Sequence, residues 1–193
     1  MKLIIASNNK GKIREYKQIL EPLGYEVVSQ KEAGADIEVE ETGTTFAENS
    51  QLKAQAIYDM FGCAVLADDS GLEIDALDGE PGVYSARYGG LDKDTERTAL
   101  VLERMKDVPE DKRGAHFSCS VCFIDETGKK IMAEGKVFGT IAYEPKGENG
   151  FGYDPIFIYE GKTFAEHTAE LKNSVSHRAN ALKDLEKKLG AKQ

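Results

Sequence analysis

Apolar and polar residues alternate along the chain in two periods, and the switches between them predict the elements. Lys2–Ala6 is a short apolar run of strand type. Lys10–Leu23 then places Ile13, Tyr16, Leu20 and Leu23 at helical spacing, with Pro22 and Gly24 to stop it. Tyr25–Ser29 reads as a second strand. An acidic loop with Asp36, Glu38, Glu40 and Glu41 leads to an amphipathic helix over Thr45–Phe61, ended by Gly62. Ala64–Ala67 reads as a buried strand, with another at Leu72–Leu77 beyond a turn. After a Gly/Pro loop at Gly79–Gly90, a third helix over Thr95–Lys106 turns Leu100, Val101 and Met105 inward. Ala115–Asp125 and Lys130–Tyr143 read as a long hairpin turned at Glu126–Lys129. A Gly-rich loop fills Pro145–Pro155. The last helix, Ser176–Leu189, carries Val175, Ala179, Leu182, Leu185 and Leu189 on one stripe. Strands alternating with helices, plus a hairpin, predict an α/β fold with a mixed sheet. With no repeat, low-complexity tract or linker-like stretch, residues 1–193 read as a single domain.

Composition narrows the class. A chain of 193 residues can bury roughly 70% of its unfolded surface and needs no staples. Hydrophobic content of 40% with 31% charged residues describes a globule, not a disordered segment. The net charge of −9 argues against indiscriminate nucleic-acid binding, which depends on Lys and Arg displacing counterions. It leaves a small phosphate ligand open, because local charge can oppose global charge. The longest apolar runs, Leu3–Ala6 and Cys63–Ala67, fall far short of the ~20 residues a membrane span requires. Lys2 followed by Leu3–Ala6 is also too short for a signal-peptide core. Three cysteines cannot form an even disulfide framework, so a reducing cytoplasm is expected. Cys119 and Cys122 lie three apart on a predicted strand, facing opposite sides, which suits buried small side chains better than a chelate.

Several segments break the usual rules of charge placement. The first helix opens Asn9-Lys10-Gly11-Lys12 directly after a strand, with Arg14 next. Cations at a helix N-terminus oppose its positive end unless an anion sits there, and strand, polar turn and lysine-bearing helix start is how a phosphate site is built. The motif is not a Walker A loop: that spacing is absent, and Ile13 stands where a metal-binding hydroxyl belongs. Asn49 and Lys53 interrupt the apolar stripe of Phe46, Ile57 and Met60 in the second helix. Lys53 either snorkels from the core edge or reaches an anion in a cleft. Asp68-Asp69-Ser70-Gly71 follows a predicted strand directly, where open α/β sheets place ligands. Glu40–Glu41 form a second acidic pair, and carboxylates from two segments can share one Mg²⁺. Lys172, His177 and Arg178 gather cations at the start of the last helix, behind Ser176 as a candidate N-cap. Phe151-Gly152-Tyr153-Asp154-Pro155 could stack a planar ring while glycine lets the backbone approach.

These segments, in this order, resemble the inosine triphosphate pyrophosphatase family. The matching pieces are Ser7-Asn8-Asn9-Lys10-Gly11-Lys12, Glu40-Glu41-Thr42-Gly43, Thr45-Phe46 with Glu48-Asn49, Leu52-Lys53-Ala54 and Ala67-Asp68-Asp69-Ser70-Gly71-Leu72. Pro81-Gly82, Tyr84-Ser85-Ala86-Arg87-Tyr88, Phe151-Gly152-Tyr153-Asp154-Pro155 and Ser176-His177-Arg178 continue the series over nearly the whole chain. Asn8 departs from the glycine many members carry there, and asparagine tolerates the left-handed conformations glycine supplies. The resemblance implies a two-lobed α/β fold with a long mixed, twisted sheet and a cleft between lobes. It implies hydrolysis of non-standard purine triphosphates (ITP, dITP, XTP) to monophosphate and pyrophosphate, a Mg²⁺ cofactor, and a homodimer. By the same resemblance Ser7, Asn8, Asn9, Lys10, Gly11, Lys12 and Lys53 would hold the phosphates, and Ser70 would position substrate. Glu41 and Asp69, with Glu40 and Asp68 close by, would hold the metal, and Asp69 would be the general base. Phe151, Gly152, Tyr153, Asp154, Lys172, His177 and Arg178 would surround the base, their donors matching an O6 acceptor and opposing an N6 amino group.

Overall fold

Residues 2–190 are described by a computed structural model of the protein. In chain order the elements are β1 (Lys2–Ile5), α1 (Lys10–Leu20), β2 (Glu26–Ser29), α2 (Phe46–Phe61), β3 (Val65–Ile74) and α3 (Asp94–Arg104). They continue with β4 (Gly114–Ile124), β5 (Lys130–Ile141), β6 (Phe157–Tyr159), β7 (Lys162–Thr163), α4 (Ala169–Val175) and α5 (His177–Gly190). The strands form one sheet in the order β2-β1-β3-β4-β5-β6-β7. β1 runs parallel to β2 and β3, whereas β6 is antiparallel to β5 and β7. The α/β class with a mixed sheet is therefore as the periodicities predict. Among the described residues no helix is long and apolar enough to cross a membrane.

The chain separates into two compact units. One takes in the chain up to Asp69, Cys119–Gly135 and the chain from Arg178; the other is Ser70–Ser118 with Lys136–His177. In the first unit, strand alternation distributes the core over two faces of the sheet. Leu3, Ile5, Leu66, Cys119 and Val121 pack with Tyr16 and Leu20 of α1 and Leu182 and Leu185 of α5. Ile4, Val65, Ala67, Cys122 and Ile124 pack with Ala54 and Ile57 of α2. All three cysteines are free thiols, and Cys119 and Cys122 fall in different clusters, as their spacing requires. The second unit packs Leu72, Ile74, Phe117, Val137 and Ile141 of the sheet against Val101, Met105, Tyr153, Phe157 and Phe164.

Helix starts follow local chemistry. Thr45 caps α2 in a capping box, its side chain accepting from Glu48 N while the Glu48 carboxylate answers the Thr45 backbone. Gly62 ends α2 in the left-handed region, φ 59°.

Four expectations need correction. Asp68 to Gly71 do not form a turn between two strands; they lie inside one ten-residue strand, β3. Asp and Gly disfavour strands on their own, but β3 lies between β1 and β4 in the sheet, and that pairing overrides propensity. The helical stripe of α1 stops at Leu20, and Leu23 sits in a 3-10 turn, 65% exposed. Met60 is exposed, so the buried stripe of α2 is Asn49, Ser50, Ala54 and Ile57, richer in polar atoms than the apolar spacing suggests. Finally, β6, β7 and α4 have no counterpart in the predicted elements: two strands of three and two residues and a seven-residue helix are too short to show a period.

Arg113, which no motif singles out, is the largest fully buried side chain among the described residues. Its guanidinium donates to the carbonyls of Met105, Val108, Ile141 and Ala142 at 2.6–3.1 Å and lies 4.1 Å from the centroid of the Tyr143 ring. It ties the end of α3 to the end of β5. Arg113→Met removes the guanidinium donors from these carbonyls, of which Met105 O keeps the Val108 N–H, and is expected to lower unfolding stability by about 2–4 kcal/mol, read as a lower urea midpoint at an unchanged denaturant slope.

Candidate active site

β3 carries the two central carboxylates, and strand alternation sends them to opposite faces. Asp68 shares the face of Leu66 with α1 and α5; Asp69 shares the face of Val65 and Ala67 with α2. Both are buried, at 1% and 6% exposure, so water cannot solvate them and protein groups must.

Around Asp68 those groups are cations. Its Oδ2 lies 3.1 Å from Lys12 Nζ and 3.3 Å from Arg178 Nε. Arg178 Nη1 also donates to Glu15 Oε2 at 2.9 Å, so a second buried carboxylate holds the guanidinium from α1. Burial favours the neutral acid, yet Lys12, Arg178 and Lys53 outweigh it and hold the Asp68 carboxyl well below the usual carboxylate range. Tyr16 and Cys119, buried alongside, are both pushed up by burial and by Asp68, and stay neutral.

Asp69 sits in a different field. Asn49 Nδ2 donates to its Oδ2 at 3.1 Å, and Lys53 Nζ lies 3.5 Å from its Oδ1 and 2.7 Å from Glu41 Oε1. Lys53 thus meets two carboxylates, which resolves the two readings of its place on α2: its ammonium reaches anions. Burial raises the Asp69 carboxyl above its ordinary value, Lys53 and Lys12 pull it down, and Glu41 raises it. Asn49 Oδ1 in turn accepts from Gly43 N at 2.8 Å, fixing which way the amide points. A Cβ on Gly43 would lie 2.6 Å from that oxygen, so glycine is required for the approach.

At the start of α1 the expected phosphate loop is already partly satisfied. Asn9 Oδ1 accepts from Gly11 N and Lys12 N at 2.9 and 3.1 Å, Ser7 Oγ accepts from Asn9 N, and Asn8 Nδ2 donates to the Ile37 carbonyl. Lys10 and Arg14 are exposed, while Lys12 turns to Asp68. Glu40 is exposed, apart from the Lys53 cluster that its neighbour joins. Ser70 follows in β3, half-buried.

In the second unit Asp154 organises the aromatic loop. Its Oδ2 accepts from Lys172 Nζ at 2.5 Å and from Phe151 N at 2.9 Å, which holds the ammonium 4.8 Å from the centroid of the Phe151 ring. Gly152 N donates to Asp94 at 2.8 Å, and Tyr153 Oη donates to the Ser85 carbonyl at 2.8 Å. Gly150 has φ +75°, and a Cβ there would lie 1.9 Å from Asp154 Oδ2, so a side chain would push the carboxylate off Lys172. His177 stacks on Phe117 with centroids 4.8 Å apart.

The first unit therefore gathers Lys12, Glu41, Lys53, Asp68, Asp69 and Arg178, and the second gathers Phe151, Gly152, Tyr153, Asp154, Lys172 and His177. Sequence reasoning missed Glu15 and Asp94 and left Asn49 without a role. Asn49 had a signal, a polar residue on a buried stripe; Glu15 had none, because its partner lies 163 positions away. Among the described residues no group of three or more His, Cys, Asp or Glu side chains is arranged to hold a metal. Glu41 and Asp69 both meet the Lys53 ammonium, and two such oxygen donors suit an ion that takes few carboxylates and completes its shell with water and phosphate.

The model of the Ham1 family matches residues 3–188, almost the whole described chain. The chain belongs to the Ham1 family. Among similar Ham1-family proteins, the dITP/XTP pyrophosphatase of an Exiguobacterium species is 51% identical over 189 residues, covering 96% of this chain and 95% of that protein. The dITP/XTP pyrophosphatase of Bacillus subtilis is 50% identical, with 97% and 96% covered. The solved Ham1 protein of Staphylococcus aureus is 41% identical and superposes over 100% of both chains with a TM-score of 0.85.

The charge geometry around Asp69 has a measurable consequence. Lys53→Met removes the largest influence that lowers the Asp69 pKa, so that pKa is expected to rise further, followed as the Asp69 carboxyl resonance in a ¹³C NMR titration.

Proposed function

We propose that this chain hydrolyses non-standard purine nucleoside triphosphates, dITP, ITP and XTP, to the monophosphate and pyrophosphate. As a member of a family whose relatives carry that activity in their names, it is a nucleoside triphosphate pyrophosphatase, a hydrolase acting on acid anhydrides. The observation that carries the reading is Lys53 held between Glu41 and Asp69 beside the second pair, Lys12 and Asp68. A polyanionic ligand needs such cations, and an attacking water needs a carboxylate among them that is not fully committed to a partner.

In this reading Glu41 and Asp69 would hold Mg²⁺, which when bound would neutralise phosphate charge and lower the pKa of a coordinated water. Asp69 takes the proton of the attacking water; burial raises its pKa, which makes it a better base than an ordinary carboxylate. Lys12 and Lys53 supply positive charge to the phosphates, and Ser7 to Gly11 line their approach. Asp68, committed to Lys12 and Arg178, supports these cations more than it binds metal. Lys172 is held over the face of Phe151 by Asp154, and with His177 and Arg178 it offers donors to the O6 acceptor of hypoxanthine or xanthine. Such donors reject adenine because its amino edge leaves them unpaired. The cellular role would be removal of deaminated purines from the nucleotide pool, by a cytoplasmic homodimer. A non-catalytic nucleotide sensor is the alternative from another class, and it would bind ITP without releasing pyrophosphate.

Pyrophosphate release from ITP, dITP, XTP, ATP and GTP, with Mg²⁺ and with EDTA, tests the reading. Activity on the first three, little on ATP and GTP, and loss with EDTA are expected; equal rates on ATP, or ITP bound intact, would overturn it. Asp69→Asn is expected to slow turnover by roughly 10²–10⁴-fold. In the intact enzyme kcat/KM should fall as pH drops through the Asp69 ionisation, at a higher pH than an unperturbed aspartate would give.

A further inference from the structure

We propose that Asp68 is a positioning residue that couples the phosphate end of the site to the base-reading end, by sharing one carboxylate oxygen between Lys12 and Arg178. The inference rests on the functional reading above, in which Lys12 meets phosphate and Arg178 meets the base.

The geometry is unusually lopsided. Asp68 Oδ2 takes Lys12 Nζ at 3.1 Å, Arg178 Nε at 3.3 Å and Cys119 Sγ at 3.8 Å, while the buried Oδ1 has no hydrogen-bond partner. Two cations therefore compete for one oxygen. Lys12 and Arg178 stand against Asp68 and Glu15 in this cluster. Three of its side chains are at most 6% exposed, and Lys12, at 13%, is the one most open to an incoming anion. α1 supplies both Lys12 and Glu15, one helical turn apart, so the segment that meets phosphate also grips the guanidinium.

An anion that draws the Lys12 ammonium away from Oδ2 leaves Arg178 as the cation nearest that oxygen. In a buried setting the loss of one counter-charge is not compensated by water, and attraction between the remaining pair strengthens. Arg178 is then seated more firmly against Asp68 and Glu15, and its guanidinium is held in one orientation toward the base. Phosphate engagement is thereby reported at the base end, which favours nucleotides that carry the full triphosphate. A carboxylate that merely neutralised its neighbours would show no such transmission.

Inorganic tripolyphosphate, which has phosphates and no base, isolates the effect. On ¹⁵N-labelled wild-type protein its addition is expected to shift the Arg178 Nε–H resonance with the same saturation curve as calorimetric binding, and Lys12→Met is expected to abolish the shift. No binding, binding without a shift, or a shift that persists in Lys12→Met would each overturn the proposal. A double-mutant cycle gives a kinetic readout: Lys12→Met and Arg178→Lys should be coupled in kcat/KM for ITP by about fivefold or more, and by less than about twofold in an Asp68→Asn background. Equal coupling in both backgrounds would also overturn it. Should Asp68→Asn fail to fold, the resonance experiment on the wild-type and Lys12→Met proteins still decides. Wild-type enzyme that hydrolyses ITP while Arg178 stays unmoved refutes the coupling alone; wild-type enzyme that fails to hydrolyse ITP refutes the functional reading itself.

Discussion

Placing a carboxyl group in the middle of a sheet strips it of most of its water, and the surroundings must then provide polar partners and compensating charge. β3 does this twice in succession. Asp68 draws Lys12 from α1 and Arg178 from α5, and Glu15 is brought in to balance the guanidinium. Asp69 draws Asn49 and Lys53 from α2, with Glu41 joining from the preceding loop. The helices on both faces of the first unit are thus committed to one strand by charge as well as by apolar packing. A charge cluster built this way costs stability wherever a partner is lost, since each buried charge depends on the others.

The same device recurs in the second unit at smaller scale. Asp154 is buried at 2% exposure, and its one carboxylate orders a lysine, a backbone N–H and, through them, an aromatic ring. The loop that carries it is pinned further by Asp94 and Ser85, so a Gly-rich stretch that would otherwise be mobile presents its groups in one arrangement. Preorganisation here comes from polar contacts inside a loop, not from regular secondary structure.

Net charge and local charge tell different stories in this protein. A chain carrying −9 overall concentrates its minority cations at Lys12, Lys53, Lys172 and Arg178, each within ion-pair distance of a carboxylate. Those carboxylates hold the cations in place and offset their charge locally, so buried positive charge is oriented within each unit while the chain as a whole stays acidic.

Periodicity was enough to establish the α/β class, the mixed sheet and five of the seven strands, with the Asp68–Gly71 break as its error in β3. Of the charges in places that local rules forbid, Lys12 at the start of α1, Lys53 on a buried stripe, Lys172, and Arg178 at the start of α5 each meet a carboxylate of the protein, whereas Lys10 is exposed. Those signals are local, and a sequence displays them directly. The partners of each charge are not local. That Asp68 and Asp69 face opposite ways depends on β3 being continuous, and its continuity depends on β1 and β4 pairing on either side. That Glu15, an unremarked acid on α1, holds Arg178 depends on a contact across 163 positions. Only the packed sheet brings these groups together, because burial, and not residue type, decides which charge must answer which.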